Sequence, residues 1–344
     1  MSFKALFRLK AILILVLIII ANLSYAQTDS KKPNGTDSGP LLKLLGNFTI
    51  SGSIGYGATF HKHEIIGVGL IKNPNQTPLL FDNTLVYTDT IPSAFDDWIG
   101  NPNVFQNVPI DSTSFLLGTD SVPVTFRALG TNIPISISIQ YNFDRYRIGG
   151  GFSFEPYIVG SYRPDVFEDE IGTFKTNFVA SNYTRWFIHV GGEVFQTKRY
   201  TVVIDAKIGS YKQQKKHFNP DIIKKSIFFN FGARFEYSLS EYIRFFVRPS
   251  FEFKNYTLTF PESSFSVLHN LPVFYFNLGL SWRLPDRKKC PIGNCRTQIN
   301  HRHGSNSYRS RAHPFWKWQD PDYGENYRQL IRYKGKNKRK INPY

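Results

Sequence analysis

Eight stretches of the chain alternate apolar and polar residues with a period of two, the mark of strands whose two faces meet unlike surroundings. In residues 48–60 the apolar set Phe48, Ile50, Ile54, Tyr56 and Phe60 stands against Thr49, Ser51, Ser53 and Thr59. The pattern returns in 133–141, 146–158, 178–194, 200–208, 227–237, 243–253 and 272–284. In the last of these Phe274, Phe276, Leu278, Leu280, Trp282 and Leu284 oppose Tyr275, Asn277, Ser281 and Arg283. The links at 142–145, 196–199 and 238–241 are short, and those between the other strand pairs are long and polar. Short and long links therefore alternate, as in an antiparallel up-and-down arrangement with an even number of strands.

The polar face decides between a soluble and a membrane barrel. It carries Arg147, Glu155, Arg185, His189, Glu193, Asp205, Lys207, Arg234, Glu236, Arg244, Arg248, Glu252 and Lys254. So many ionisable groups in the core of a soluble barrel would bear a large desolvation cost. The opposite face is almost wholly Ile, Val, Phe, Leu and Trp, so it is the face expected to meet lipid. After residue 26 no apolar run approaches the roughly 18 residues of a spanning helix, so spans must be made of strands. The expected fold is all-β: an antiparallel transmembrane up-and-down β-barrel of about eight strands, occupying residues 47–284. Its interior charges read as a packed salt-bridge network that plugs the lumen.

The ending Gly279-Leu280-Ser281-Trp282-Arg283-Leu284 is similar to the insertion signal in the last strand of outer-membrane barrels. With the strand count, it resembles the small OmpA and OmpX type of eight-stranded barrel. The Tyr25-Ala26-Gln27 junction resembles the signal endings of Bacteroidota barrel proteins. The resemblance spans residues 47–284 and implies residence in the outer membrane; it says nothing of the rest.

Residues 1–26 have the basic start, apolar run and small-residue end of a signal peptide, and residues 27–46 are a polar lead-in. Short periplasmic turns then place both barrel ends in the periplasm and leave 62–123 as a long external loop. Within it, 65–71 and 79–87 are candidate extra strands, and the loop regions also hold His61, His63, His217 and His269. Residues 285–344 form a basic periplasmic tail, with fifteen Lys and Arg against four Asp and Glu out of a whole-chain charge of +16. The barrel itself is nearly neutral.

The tail opens with Cys290 and Cys295, which in an oxidising compartment read as a local disulfide. The rival is a metal site with His301 and His303, whose spacing departs from that of a zinc finger, so no metal is assigned. Arg302, Arg309, Arg311, Trp316, Trp318, Lys334, Lys336, Lys338, Arg339 and Lys340 are candidate docking residues. No nucleic acid is expected in that compartment. The expected partners are outer-membrane lipid and, for the tail, peptidoglycan or a periplasmic or outer-membrane protein complex.

No nucleophile motif, cofactor motif or catalytic constellation stands out. The functional expectation is a non-enzymatic envelope anchor or accessory subunit, for instance of a secretion or gliding apparatus. The alternatives are a small ion-conducting channel and a lipid-modifying enzyme in which His189 and Glu193 serve.

Overall fold

The computed structural model describes residues 44–319, apart from 66, 84–88, 119–122, 198, 225–226, 261–264, 286, 296, 298–299 and 304–305. The expected signal peptide, nearly all of the lead-in, and Lys334, Lys336, Lys338, Arg339 and Lys340 lie outside the described residues.

Alternation gives strands where it was read. The first, β1 (Phe48–Ile65), is followed by five short strands: β2 (Gly69–Lys72), β3 (Leu79–Phe81), β4 (Thr90–Phe95), β5 (Val104–Pro109) and β6 (Phe115–Gly118). Then come β7 (Val124–Asn132), β8 (Ile135–Phe143), β9 (Tyr146–Val159), β10 (Arg163–Pro164), β11 (Ala180–Gln196) and β12 (Tyr200–Gln213). The rest are β13 (Ile223–Lys224), β14 (Ile227–Ser238), β15 (Ile243–Phe253), β16 (Asn255–Thr259), β17 (Ser266–Asn270), β18 (Val273–Arg283), β19 (His301–His303) and β20 (Asn306–Tyr308).

Hydrogen-bonded neighbours run from β1 through β8, β9, β11, β12, β14, β15 and β18, and β18 pairs with β1 again. The sheet is thus a closed antiparallel ring of at least eight strands, with no free edge along this path. The β1–β18 seam runs unbroken from Thr49↔Arg283 to Thr59↔Val273.

Beyond the seam, β1 pairs with β7 on one side and β17 on the other, so the wall continues past the ring at the long-loop end. β7 and β8 both pair with β1, separated only by Ile133-Pro134. Proline has no N–H to give the ladder, yet its carbonyl still accepts from Gly55 N at 2.9 Å, and Ile133 N donates to Pro156 O at 2.9 Å. Here the strand is longer than its alternation suggested.

In the long loop the candidate strands 65–71 and 79–87 are met in part by β2 and β3, and three further strands are added. β1 continues to Ile65, and the segment after it folds into a separate five-stranded antiparallel sheet in the order β5-β4-β3-β2-β6. These strands are three to six residues long, and β2 and β3 are buried on both faces. A strand covered on both sides shows no alternation, so periodicity cannot announce it.

The main apolar core lies at the long-loop end, where the connecting segments meet the upper ends of the wall strands. Ile65, Leu70, Leu80, Phe95, Trp98, Phe126, Tyr162, Phe174, Phe228 and Leu258 belong to one buried cluster at the long-loop end. The wall's outward side chains are exposed instead: Ile137 by 64%, Leu129 by 61% and Trp186 by 60%.

Candidate functional site

Inward parity places all thirteen charged or histidine positions on the lumen side, in tiers along the barrel axis. Nearest the short turns, Arg147 binds Glu236 at 2.6 Å and Glu193 at 2.5 Å, while Arg234 and Arg244 form ion pairs with the same Glu236 carboxylate at 2.8 Å and 2.9 Å. One tier up, Arg248 Nε donates to Asp205 at 2.8 Å, and the same guanidinium donates to Asn230 Oδ1 at 2.7 Å. Nearest the long loops, Arg185 bridges Glu155 and Glu252, and Lys254 Nζ lies 3.4 Å from Glu155. Both of those glutamates are fully buried. A buried carboxylate is tolerable only when paired and hydrogen-bonded, and here the Tyr275 hydroxyl donates to Glu155 at 2.6 Å while Asn132 donates to it as well.

Two members stand apart from these ion pairs. Lys207 places its ammonium 4.6 Å from the centre of the Phe187 ring. His189 Nε2 faces Gln140 Oε1 at 3.2 Å, and Glu193 is taken up by Arg147, so the pair that an enzyme reading would use is engaged elsewhere. Two glycines make room for the bulk of the network. A Cβ on Gly149 would approach His189 Cε1 to 2.7 Å, and one on Gly232 would approach the Arg248 guanidinium to 2.9 Å.

At mid-barrel there is a cavity of about 20 Å³, lined by Ser51, Ser138, His189, Asp205, Lys207 and Arg248 among others. That volume holds roughly one water. Tyr275, Asn132, Gln140 and Asn230 complete the network, although charge alone does not single them out. Their signal is parity, because each stands at an inward position of its strand.

Above the network the long-loop end is closed by rings. Trp98 stacks on Phe174 at 4.1 Å and is fully buried, and Tyr256 donates its hydroxyl to Ile99 O at 2.7 Å. The histidines expected in external loops are repositioned by the longer wall strands: His61 and His63 lie on the inner face of β1 and His269 on β17, all three buried. His63 and His269 meet edge to face at 4.2 Å, and Tyr162 Oη lies 3.1 Å from His61 Nδ1. In the same cap, burial and the neighbouring Asp96 raise the Asp97 carboxyl to about 7, against a smaller opposing effect of the Asn177 hydrogen bond.

At the other end the described part of the tail folds against the turn between β14 and β15. The Arg309 guanidinium lies 4.8 Å from the Tyr242 ring centre, Phe315 meets the same ring edge-on at 6.4 Å, and Gln319 N donates to the Glu241 carboxylate. Burial is the main cause that raises the Glu241 carboxyl.

Several residues expected to dock a partner therefore serve the tail's own fold. Arg309 Nε donates to Arg287 O at 2.9 Å, Arg311 donates to Cys290 O at 3.1 Å, and Arg302 donates to Ser307 Oγ at 3.3 Å. Trp318 is half-buried, whereas Trp316 stays 59% exposed.

The expected disulfide is not formed. Cys290 and Cys295 are free thiols, and the hairpin β19–β20 brings His301 and His303 onto them. Residues two apart on a strand share a face, so His-X-His on β19 presents both imidazoles together. The comparison with finger spacing assumes helical histidines and misses this.

A closed antiparallel ring that is apolar outside and ion-paired inside has the polarity of a membrane barrel, the reverse of a soluble one. No family model matches the chain, and no curated protein matches it. Among solved structures it is similar to the outer membrane protease OmpT from Escherichia coli, at 13% identity over 69% of this chain and 97% of that one, with a TM-score of 0.29. It is also similar to the outer membrane protein AlkL, at 12% identity over 75% and 96% with a TM-score of 0.29. A Pseudomonas aeruginosa FadL homologue aligns at 10% identity over 70% and 91%, with a TM-score of 0.26. The strand pairing and the polarity of the wall, not these likenesses, carry the membrane-barrel assignment.

Proposed function

We propose that this protein is an outer-membrane barrel of eight strands that conducts nothing and catalyses nothing, and acts as an envelope anchor or accessory subunit. In this reading the tail, on the periplasmic side, presents a docking surface to peptidoglycan or to a protein complex of the envelope. The observation that carries it is the double closure of the lumen: ion pairs reach across the interior from strand to strand, and an apolar cap covers the long-loop end. A permeant ion would have to break those pairs and cross that cap. The alternation of short and long links supports the orientation, with the short turns and the tail on the inner side. Exposed Phe315 and Trp316 beside basic Arg311 and Lys317 support docking, because aromatic groups flanked by Arg are favoured at interfaces.

Planar-bilayer recording on the purified full chain tests the closed lumen. The expected result is no steady conductance, and a stable open level would replace this reading with the channel. Crosslinking and pull-down from envelopes, comparing the native chain with Trp316→Ala, tests the docking. Identical recovery of peptidoglycan and envelope proteins by both would defeat it.

A further inference from the structure

The tail contains a group of side chains that the anchor reading does not use. Cys290 Sγ, Cys295 Sγ and one ring nitrogen each of His301 and His303 all lie within 4.8 Å of one another. Cys295 Sγ is 3.1 Å from His301 Nε2, and His301 Nε2 is 3.0 Å from His303 Nε2. We propose that these four side chains bind one zinc ion as a tetrahedral Cys2His2 site, and that this ion is what folds the tail onto the barrel.

Three observations carry the assignment. The first is donor geometry. Four-coordinate zinc takes sulfur at about 2.3 Å and imidazole nitrogen at about 2.0–2.1 Å, which sets its donors roughly 3–4 Å apart. Two imidazole nitrogens facing each other at 3.0 Å fit that spacing, with the two thiols completing the set.

The second is backbone support. The Cys-Pro-Ile-Gly-Asn-Cys loop is closed by Cys295 N donating to Ile292 O at 3.1 Å, and Cys290 N donates to Arg309 O at 3.0 Å. Arg311 holds the Cys290 carbonyl, and the register His301↔Tyr308 fixes the strand that carries both histidines. All four donors are thus positioned by main-chain bonds, as a preorganised site requires.

The third is what the tail lacks. Among the described residues from 287 to 319 the buried side chains are Cys290, Thr297, Asn300, Ser310 and Gln319, of which only the cysteine is apolar. A module of about this size whose described residues bury almost no apolar surface needs a staple, either a disulfide or a metal. The sulfur atoms are unbonded and converge on imidazoles, which favours the metal.

Two soft thiolates with two imidazoles select zinc over calcium or magnesium, which prefer oxygen ligands. Binding forms two zinc–sulfur and two zinc–nitrogen bonds, and each thiol releases its proton to solvent, so affinity falls on acidification. The assignment is independent of whether the tail has a partner.

The test uses the full-length protein in detergent. Elemental analysis is expected to find about one zinc per chain, and replacement by Co2+ is expected to give the visible and thiolate charge-transfer absorption of a tetrahedral thiolate site. Cys290→Ser with Cys295→Ser should lose the metal while the barrel stays heat-modifiable on gels, and His301→Ala with His303→Ala should do the same. If the barrel of a variant fails to fold, chelation of the native protein replaces it: removing the ion should expose the tail after residue 284 to protease, and restoring zinc should protect it. Metal content at background, or a Cys290–Cys295 disulfide found by mass spectrometry in the native protein, overturns the proposal. A tail that is equally protease-resistant with and without chelator overturns the folding role.

Discussion

The lumen and the long-loop cap close the same barrel by opposite chemistry. In the lumen, side chains come from strands already committed to a wall whose other face is apolar, so the inner positions are polar and are satisfied by one another. The guanidiniums of Arg147, Arg185 and Arg248 reach across to carboxylates on other strands. In the cap, side chains come from connecting segments that have no lipid to meet, so Leu70, Leu80, Phe95 and Trp98 pack as they would in a soluble domain. Where apolar groups go therefore depends on which solvent competes for them: lipid takes them along the wall, and only each other beyond it.

Breaking the lumen should produce the largest effect. Arg185→Leu leaves Glu155 and Glu252 with their shared guanidinium gone, and removal of one partner of a buried pair costs about 3–5 kcal/mol. The expectation is a lowered urea midpoint for unfolding of the whole barrel in detergent. Retention of the native midpoint would mean that water, or Lys254 alone, satisfies those carboxylates.

Breaking the cap should be of similar size but local. Trp98→Ala empties a fully buried ring position, a loss of about 3–5 kcal/mol. Proteolysis within residues 67–123 should rise sharply while the barrel remains heat-modifiable. If the barrel unfolds in step, cap and ring are one cooperative unit and the contrast fails.

A smaller effect should appear with pH. Asp97 in the cap is raised to about 7, so the folded cap holds a proton that the unfolded chain releases at the ordinary carboxylate value. Its contribution to stability is full below about 4 and is lost as the pH rises through about 7. Hydrogen exchange in β4 and β5 should accelerate over that window, and Asp97→Asn should flatten the dependence. The smallest effect is expected for the exposed Lys62–Glu64 pair at 3.8 Å: Lys62→Ala should change stability by about 1 kcal/mol at most, measured by the same urea titration.

Alternation by itself located the wall strands, the short turns and the inward-facing charges, because a strand between lipid and a polar lumen has to record both environments at every second residue. Lys207 shows the limit of that record. Its inward position is plain from parity, yet its choice of the Phe187 ring over a carboxylate depends on neighbours from the same and adjoining strands. β2 and β3 fall on the candidate strands 65–71 and 79–87, whereas β4 to β6 were not read, since all five are short and β2 and β3, covered on both faces, carry no alternation. The second half of the β7–β8 strand was legible and the first was not, because Pro134 reads as a break although its carbonyl keeps the ladder.

The tail divides in the same way. Its charge, its aromatic residues and its two cysteines are properties of the chain, and they place a basic, chemically active appendage after residue 284 whatever it folds into. The pairing of β19 with β20, and the return of Arg309 to Lys289 and Tyr242, decide what the cysteines face. Linear spacing cannot show which side chains a hairpin carries to a thiol, because that is set by long-range register. The sequence alone determined which residues meet lipid and which turn inward; only the tertiary structure decided their partners, since a period of two specifies a face and a contact needs two chain segments brought together.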